Sequence, residues 1–408
     1  MNKPPHKALS ICAITTWPPY REGIALYSAK LYKETAKLAH VEVIANKVGA
    51  SVSNLYHEDG IVVRRVWSRW NIFSPLRVFR HVVKSEAHLV HVQYGWLLYG
   101  YSSTVLFPLL LLTGRLTKRP VILTMHTVIQ RNAKIYNNTL LNQIANLVTF
   151  TLTKLLTEFS CKVIVHNQLM KKVLEENYGC KTGKVVTIPH GVVKADLEYR
   201  GENGSRDNLT ILSLGFLREE KKLEHLIQGF SEFSKENSDA KLLLVGDRHP
   251  HEADKYVDKI VKLVSDSELG GKVHMIDFAS DEQLNQLISN SNLIILVSTT
   301  DYFIETSGAL ARVADFGKPV VCSKVPKFQA ELKDGHDCLM VSPGNVDELV
   351  KAMKTLVDNH ELKRQLASNL KRHFSERYWT DVAKMHLNCY YSCLKLREKS
   401  TIDTVKRG

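Results

Sequence analysis

The chain has 408 residues, 44% hydrophobic and 24% charged, with a net charge of +13; that length exceeds one ordinary core, so two domains are expected and a disordered or fibrous chain is excluded. Seven cysteines are scattered, with neither a CxxC pair nor a His/Cys ligand spacing, which favours reduced thiols in a cytosolic setting over disulfides or a zinc site. The positive charge is uneven: residues 1–190 hold 24 Lys and Arg against nine Asp and Glu, so they carry +15 and the remainder −2. A basic half suits an anionic partner, whether acidic lipid, a phosphorylated substrate or nucleic acid; a plainly solvated basic surface is the alternative.

In chain order, the apolar run at the N-terminus is too short for a signal peptide and predicts a buried strand over Ala8–Ile14. A helix is expected over Ile24–Leu38 and a strand over Val41–Ala45. Ile61–Trp67 predicts a strand, Pro75–Lys84 a helix, and His88–Val92 a strand. The longest apolar run, Val105–Leu112, contains Pro108 and is too short to span a bilayer. Strands at Val121–His126 and Val163–His166 flank a long helix over Leu140–Glu158. A Glu-, Gly-, Arg-, Asn- and Ser-rich break at 194–208 predicts a linker.

The alternation then restarts. Strands are expected at Leu209–Leu214, Lys241–Gly246, Val273–Ile276, Leu293–Val297 and Pro319–Cys322. Helices are expected at Leu223–Phe233, Ala253–Ser267 and Asp281–Ile288, from Gly308 and from Val346. Strands alternating with helices mean doubly wound parallel sheets, an α/β fold. The expected layout is a domain over 1–193, the linker 194–208 and a second domain over 209–378. Ligands are expected outside the C-terminal strand edges, in a cleft that the two domains face. That layout also suits a periplasmic binding protein or a sugar-nucleotide epimerase, so the fold alone does not decide function.

Candidate sites sit at the strand-end turns. Thr15–Ala25 contains Gly23 at a helix start, suited to a phosphate or sugar hydroxyl, and lacks a GxGxxG dinucleotide pattern. His126 ends an apolar strand and is placed to line the cleft, although a strand-end histidine is more often a satisfied polar residue. The turn Leu214–Lys222 offers Arg218 and Lys221, two cations able to neutralise a departing phosphate. In Ser298–Val321 an acidic-aromatic turn leads to Glu305, and Ser307, Gly308 and Ala309 open a helix. Such an N-terminus suits a phosphate, Gly308 allows close approach, and Glu305 is placed for the hydroxyls of the same ligand. A diphosphate beside hydroxyls describes a nucleotide-sugar; an ordinary βαβ turn with a capped helix is the alternative.

The ordered pieces WPPYREGIALYSAKL, HLVHVQ, VILTMHT, KVIVHNQLMKKVL, VVTIPHGV, LSLGFLREEKKLEHLIQGF, AKLLLVGD, VHMIDFASDEQLNQLI and ETSGALARVADFGKPVV run from Trp17 to Val321. Together with LMVSPGNVDELVKAM and Trp379, they resemble retaining glycosyltransferases of the GT-B architecture, glycosyltransferase family 4. The resemblance implies two Rossmann-like domains, a nucleotide-sugar donor on the second and a hydroxyl acceptor on the first. It also implies a last helix, about 379–396, crossing back onto the first domain. By position, Lys221 matches the donor-phosphate lysine and Arg218 its partner; the more usual arginine, two residues earlier, is Phe216. Glu305 matches the first glutamate of the ExxxxxxxE motif, Gly308 the glycine opening the phosphate helix, His126 the histidine near the reacting centre, and Gly23 the acceptor-side glycine. The second glutamate, expected to bind ribose, is absent: its place falls on Val313 or Arg312. No Asp-x-Asp motif occurs, so metal-independent transfer without a cofactor is expected, the nucleotide-sugar being a substrate.

The implied mechanism is dissociative. Lys221, Arg218 and the helix at Gly308 absorb diphosphate charge, Glu305 holds sugar hydroxyls, the acceptor attacks from the same face, and domain closure excludes water. Residues 64–84 carry six Lys/Arg and no acid, with Trp67, Trp70, Phe73 and Phe79 interleaved. That pattern suits peripheral contact with an anionic membrane, or a helix packed on the domain with solvated arginines. A glycan or lipid-linked acceptor is therefore expected, and a cytoplasmic location, with attachment to the inner membrane face left open. No nucleic-acid module is recognisable, so no nucleic-acid partner is expected. A non-catalytic nucleotide- or sugar-binding protein of the same fold is the other reading.

Overall fold

The computed structural model describes residues 9–49, 51–96, 98–100, 117–195, 209–246, 255–267, 269–277 and 279–405, with side chains to 395. Its two compact units divide after Gly191: one comprises 1–191, 302–306 and 379–408, the other 192–301 and 307–378. The apolar run Val105–Leu112 and residues 196–208 of the expected linker lie outside the described residues.

The first unit is built on strands β1 (Ser10–Ile14), β2 (His40–Asn46), β3 (Leu55–Glu58), β4 (Ile61–Trp67), β5 (Leu89–Tyr94), β6 (Val121–Met125), β8 (Lys162–Val165) and β9 (Val185–Thr187). They lie in the order β3-β4-β2-β1-β5-β6-β8-β9, parallel except for β3 at the edge. A parallel sheet is covered on both faces, and β1 shows how alternation achieves this. Cys12 and Ile14 point into a core with helices α2 (Ser74–Lys84), α3 (Thr139–Phe159) and α4 (Gln168–Glu176). Ile11 and Ala13 point the other way, against α1 (Gly23–Ala36) and the C-terminal helix α12 (Trp379–Val405).

The second unit repeats the plan. Strands β10 (Thr210–Leu214), β11 (Lys241–Val245), β12 (Val273–Ile276), β13 (Leu293–Leu296), β15 (Val320–Ser323) and β16 (Leu339–Val341) lie in the order β12-β11-β10-β13-β15-β16, all parallel. Ile211, Leu242 and Ile295 face α5 (Leu223–Glu236), α6 (Lys255–Ser265) and α10 (Val346–Asp358). Leu212, Ile294 and Val320 face α8 (Gly308–Val313) and α9 (Pro326–Gln329). Helices α7 (Asp281–Ser289) and α11 (His360–Phe374) complete the unit. Both units are therefore doubly wound, Rossmann-like α/β sheets.

Two sequence expectations change. The acidic-aromatic turn before Glu305 is a strand, β14 (Phe303–Glu305), paired antiparallel with β7 (Thr127–Ile129) so that Glu305 lies opposite Thr127. The pairing buries Ile304 completely, which stabilises a strand too short to signal itself. The basic stretch 64–84 is also not uniformly outward. Trp67 is buried, its indole N–H donating to the Ile44 carbonyl at 3.1 Å. Arg65 is buried too, donating to the carbonyls of Asn46 and Pro18 and to the Tyr56 hydroxyl. Arg64 pairs with Glu42 at 2.5 Å. From Trp70 onward the stretch turns large apolar side chains outward, with Trp70, Phe73, Leu76 and Val83 exposed beside Arg77, Arg80 and Lys84 and with Val78 and Val82 buried. Among the described residues no helix is long and apolar enough to cross a membrane.

Candidate active site

In the second unit the donor-side residues gather at the C-terminal end of β10. The chain leaves that strand through Gly215 at φ +117°, a backbone conformation that favours glycine. Leu217 then returns to the core, and a 3-10 turn (Glu219–Lys221) carries the lysine back over the strand end. Lys221 Nζ donates to the Leu214 carbonyl at 3.2 Å. A Cβ on Gly215 would lie 2.6 Å from that ammonium and 3.6 Å from the Ala309 Cβ. The missing side chain is thus what lets a cation sit at the strand end, alongside the residues opening α8. The turn is anchored by Thr299, whose backbone N–H and hydroxyl both donate to the Glu220 carbonyl, at 2.8 and 2.9 Å. Arg218 lies beside Glu220, with 3.3 Å between guanidinium and carboxylate.

Helix α8 is short and capped. The Ser307 side chain accepts from the Leu310 N–H at 3.2 Å, as an N-cap serine does. Gly308 is exposed and Ala309 half-buried. Five of the expected residues, Arg218, Lys221, Ser307, Gly308 and Ala309, therefore belong to this unit and one neighbourhood.

Glu305, His126 and Gly23 belong to the first unit. Pairing of β14 with β7 puts Glu305 opposite Thr127, one residue beyond His126. His126 lies in a hydrogen-bonded aromatic cluster: its Nε2 is 2.8 Å from Gln93 Oε1, and its Nδ1 is 3.1 Å from His166 Nε2. His166 Nδ1 is 3.1 Å from the Ile188 carbonyl, so that nitrogen carries a proton and its Nε2 accepts from His126. With both rings neutral, His126 Nε2 is an acceptor, so the Gln93 amide turns its NH₂ toward it. Burial pushes the His126 pKa well down, helped by His166 and His190, and lowers His166 to about 3, so the neutral pair is favoured.

Tyr27 of α1 packs among these rings, with centroids 4.6 Å from His126 and 5.1 Å from His166, His190 and Trp379. Gln93, His166, His190 and Trp379 all fall in the segments that carry the family resemblance, but their meeting in one cluster has no local signal, because the contacts join distant segments. Among the described residues no group of three or more His, Cys, Asp or Glu could hold a metal ion. Gly23, the first residue of α1, is exposed, and a Cβ there would meet nothing within 4 Å. The fold itself does not require glycine at that position.

The two candidate places for the missing glutamate have structural duties. Val313 is fully buried in the core of the second unit. Arg312 is 8% exposed and donates to the Asp281 carbonyl at 2.7 Å and to Asn285 Oδ1 at 2.8 Å, with the Asp281 carboxylate 3.4 Å away. The nearby acid Asp315 is also engaged, accepting from the Ala195 N–H at 2.8 Å and the Tyr378 hydroxyl at 2.9 Å.

Residues 21–195 match the family model described as Glycosyltransferase Family 4, and residues 196–373 match Glycosyl transferases group 1. The chain belongs to glycosyltransferase family 4. Among relatives, it is 26% identical over 172 residues to an alpha-D-kanosaminyltransferase of Streptomyces kanamyceticus, covering 42% of each chain. It is 23% identical over 250 residues to an uncharacterized glycosyltransferase of Methanocaldococcus jannaschii, covering 58% of this chain and 61% of that one. The chain thus spans about two fifths to three fifths of the length of these relatives. Among solved structures, sucrose-phosphate synthase of Thermosynechococcus elongatus superposes with a TM-score of 0.76 at 19% identity, over 95% of this chain and all of that one. Anabaena HepE in complex with UDP-glucose superposes with a TM-score of 0.71 at 16% identity, over 94% and 100%. At those identities the likeness carries the GT-B fold alone.

Proposed function

We propose that this chain is a retaining, metal-independent glycosyltransferase that moves a sugar from a nucleotide-sugar donor to a hydroxyl on a glycan or lipid-linked acceptor. The donor belongs to the second unit and the acceptor to the first. The observation that carries the reading is the Lys221 ammonium lodged over Gly215 beside the start of α8. A fixed cation at a strand end, backed by Arg218, suits charge developing on a departing diphosphate. The UDP-glucose complex of the similar HepE supports a nucleotide-sugar as donor. The missing Asp-x-Asp motif supports transfer without a metal.

In this account the sugar–phosphate bond breaks as Lys221 and Arg218 stabilise the diphosphate, with backbone N–H groups at Ser307, Gly308 and Ala309 helping. Glu305 accepts hydrogen bonds from the sugar hydroxyls. The acceptor hydroxyl adds to the same face of the sugar carbon, and its proton goes to the leaving phosphate. His126, neutral and with both ring nitrogens engaged by Gln93 and His166, presents an uncharged ring near the acceptor, and Gly23 leaves room for the acceptor. The acceptor is presented at an anionic membrane on the cytoplasmic side, where the outward part of 64–84 sets Trp70, Phe73 and Leu76 beside Arg77, Arg80 and Lys84.

The direct test incubates the purified chain with nucleotide-sugars and membrane extract, and assigns the anomeric configuration of the product by NMR. Transfer with the donor's configuration retained is expected; an inverted product would remove the mechanism. A second reading, a non-catalytic nucleotide-sugar-binding protein, is favoured by Val313 and Arg312 at the place of the ribose-binding acid. Ligand binding with no turnover on any donor would select it.

A further inference from the structure

Helix α3 (Thr139–Phe159) is built inside out. Three of its threonines turn toward the unit: Thr149, Thr153 and Thr157 are 2%, 8% and 3% exposed, whereas Thr139 and Thr151 face outward. Asn142 accepts from the backbone N–H groups of Ile135 and Tyr136 at 2.8 and 3.0 Å, and Asn146 donates to the Ala133 carbonyl at 2.9 Å, so these polar residues tie down the preceding loop. Leu152 and Leu156 anchor the helix in the core. The other large aliphatics turn outward. Leu140, Leu141, Ile144, Leu147, Val148 and Leu155 recur at spacings of three, four, seven and eight, which on a helix places them on one face, with the exposed Thr151 between Val148 and Leu155. Leu140 is 65% and Leu147 66% exposed. An apolar stripe of this extent on a solvent face marks an interaction surface.

The surrounding charge indicates the partner. Among the described residues from 60 to the end of α3, seven Lys and Arg are exposed, against two exposed acids, Glu86 and Glu158. Arg131, Lys134 and Lys154 near the stripe are all exposed. Helix α2 feeds Val78 and Val82 into the same core as Leu152 and Leu156 of α3, so the two helices cover the same face of the sheet. Helix α2 turns Leu76 and Val83 outward beside Arg77, Arg80 and Lys84. One face of the unit therefore presents two apolar strips set among cations. Two copies of such a face would bring like charges together, whereas an anionic lipid surface is complementary in both respects.

We infer that the α3 stripe is a membrane-docking element that inserts into the apolar boundary of an anionic lipid leaflet, with α2 and its cations beside it. The inference rests on the reading that the first unit works at such a membrane, and it assigns insertion to α3.

The test is co-sedimentation of the full chain with vesicles of phosphatidylglycerol and phosphatidylcholine at low salt. Wild type is compared with Leu140→Gln/Ile144→Gln/Leu147→Gln and, separately, with Arg77→Gln/Arg80→Gln/Lys84→Gln. Wild type is expected on the anionic vesicles. Removing three inserted aliphatics should lower its partition by about 100-fold or more, with thermal stability unchanged because the positions are exposed. Binding that survives the α3 substitutions and disappears with the α2 set overturns this inference and leaves the membrane reading standing. No wild-type binding removes both. A loss of thermal stability in the α3 variant would mean that the stripe packs against the chain itself. A change of oligomeric state on ultracentrifugation, with vesicle binding unaltered, would make it a protein interface. Either result overturns the proposal.

Discussion

Lys221 owes its position to a residue without a side chain. Gly215 and Gly246 meet so closely that a Cβ on Gly246 would fall within contact distance of the Gly215 carbonyl oxygen, and the ammonium rests over the first of them. The lysine therefore acts on whatever approaches the end of β10 and contributes little to the core. Replacing it by alanine should lower kcat by about 100-fold or more, since one preorganised group facing developing charge is worth roughly 3 kcal/mol. The melting temperature should stay at the wild-type value. Glu305→Ala should likewise cost turnover with little loss of stability, because Ile304 anchors β14. A Lys221→Ala protein with wild-type turnover on the true donor would remove this turn from the site.

At the scale of elements, α8 is held to α7 through Arg312. Its guanidinium is buried, and burial lowers its pKa while the Asp281 charge partly offsets that. Arg312→Glu should cost about 3 kcal/mol or more, because it places a carboxylate against Asp281 and leaves Asn285 without its donor. Nucleotide affinity should not rise, since the position faces α7. Chemical denaturation together with a nucleotide titration checks both; tighter nucleotide binding at unchanged stability would mean that the ribose-binding geometry survives. The same element shows what was legible in the sequence. The strand–turn–helix order at 293–313, the lysine turn and the lack of the second glutamate are local patterns and could be read. The duty of Arg312 could not, because Asp281 and Asn285 lie about thirty residues away. Strand β14 was missed because three residues carry no periodicity; its pairing with β7 spans the chain from 127 to 305. The stretch 64–84 was over-read: strand alternation buries Arg65 and Trp67, whereas a charge count treats all its cations alike.

Across the whole molecule, the buried histidines of the first unit set a dependence on acid. Burial lowers His386 and His190 to about 4 and His166 to about 3, from an ordinary value of 6.5. A group whose pKa is depressed on folding binds fewer protons folded than unfolded. Its stabilisation is full above pH 6.5 and is lost as pH falls toward the folded value. Each ring accounts for roughly 3 kcal/mol across that window. Unfolding free energy should therefore fall between about pH 7 and about pH 4.5, and less steeply in His386→Gln; parallel curves would show that His386 is not neutral in the folded state.

The central claim, that the second unit takes a nucleotide-sugar at the Lys221 turn, is tested most directly by thermal shift with UDP-, GDP- and ADP-sugars on wild type and Lys221→Ala. A true donor at a hundred-fold excess over its Kd should stabilise wild type by about 2.7 kcal/mol, and the variant much less at the same concentration. No shift with any of them, or equal shifts in the two proteins, would contradict the account.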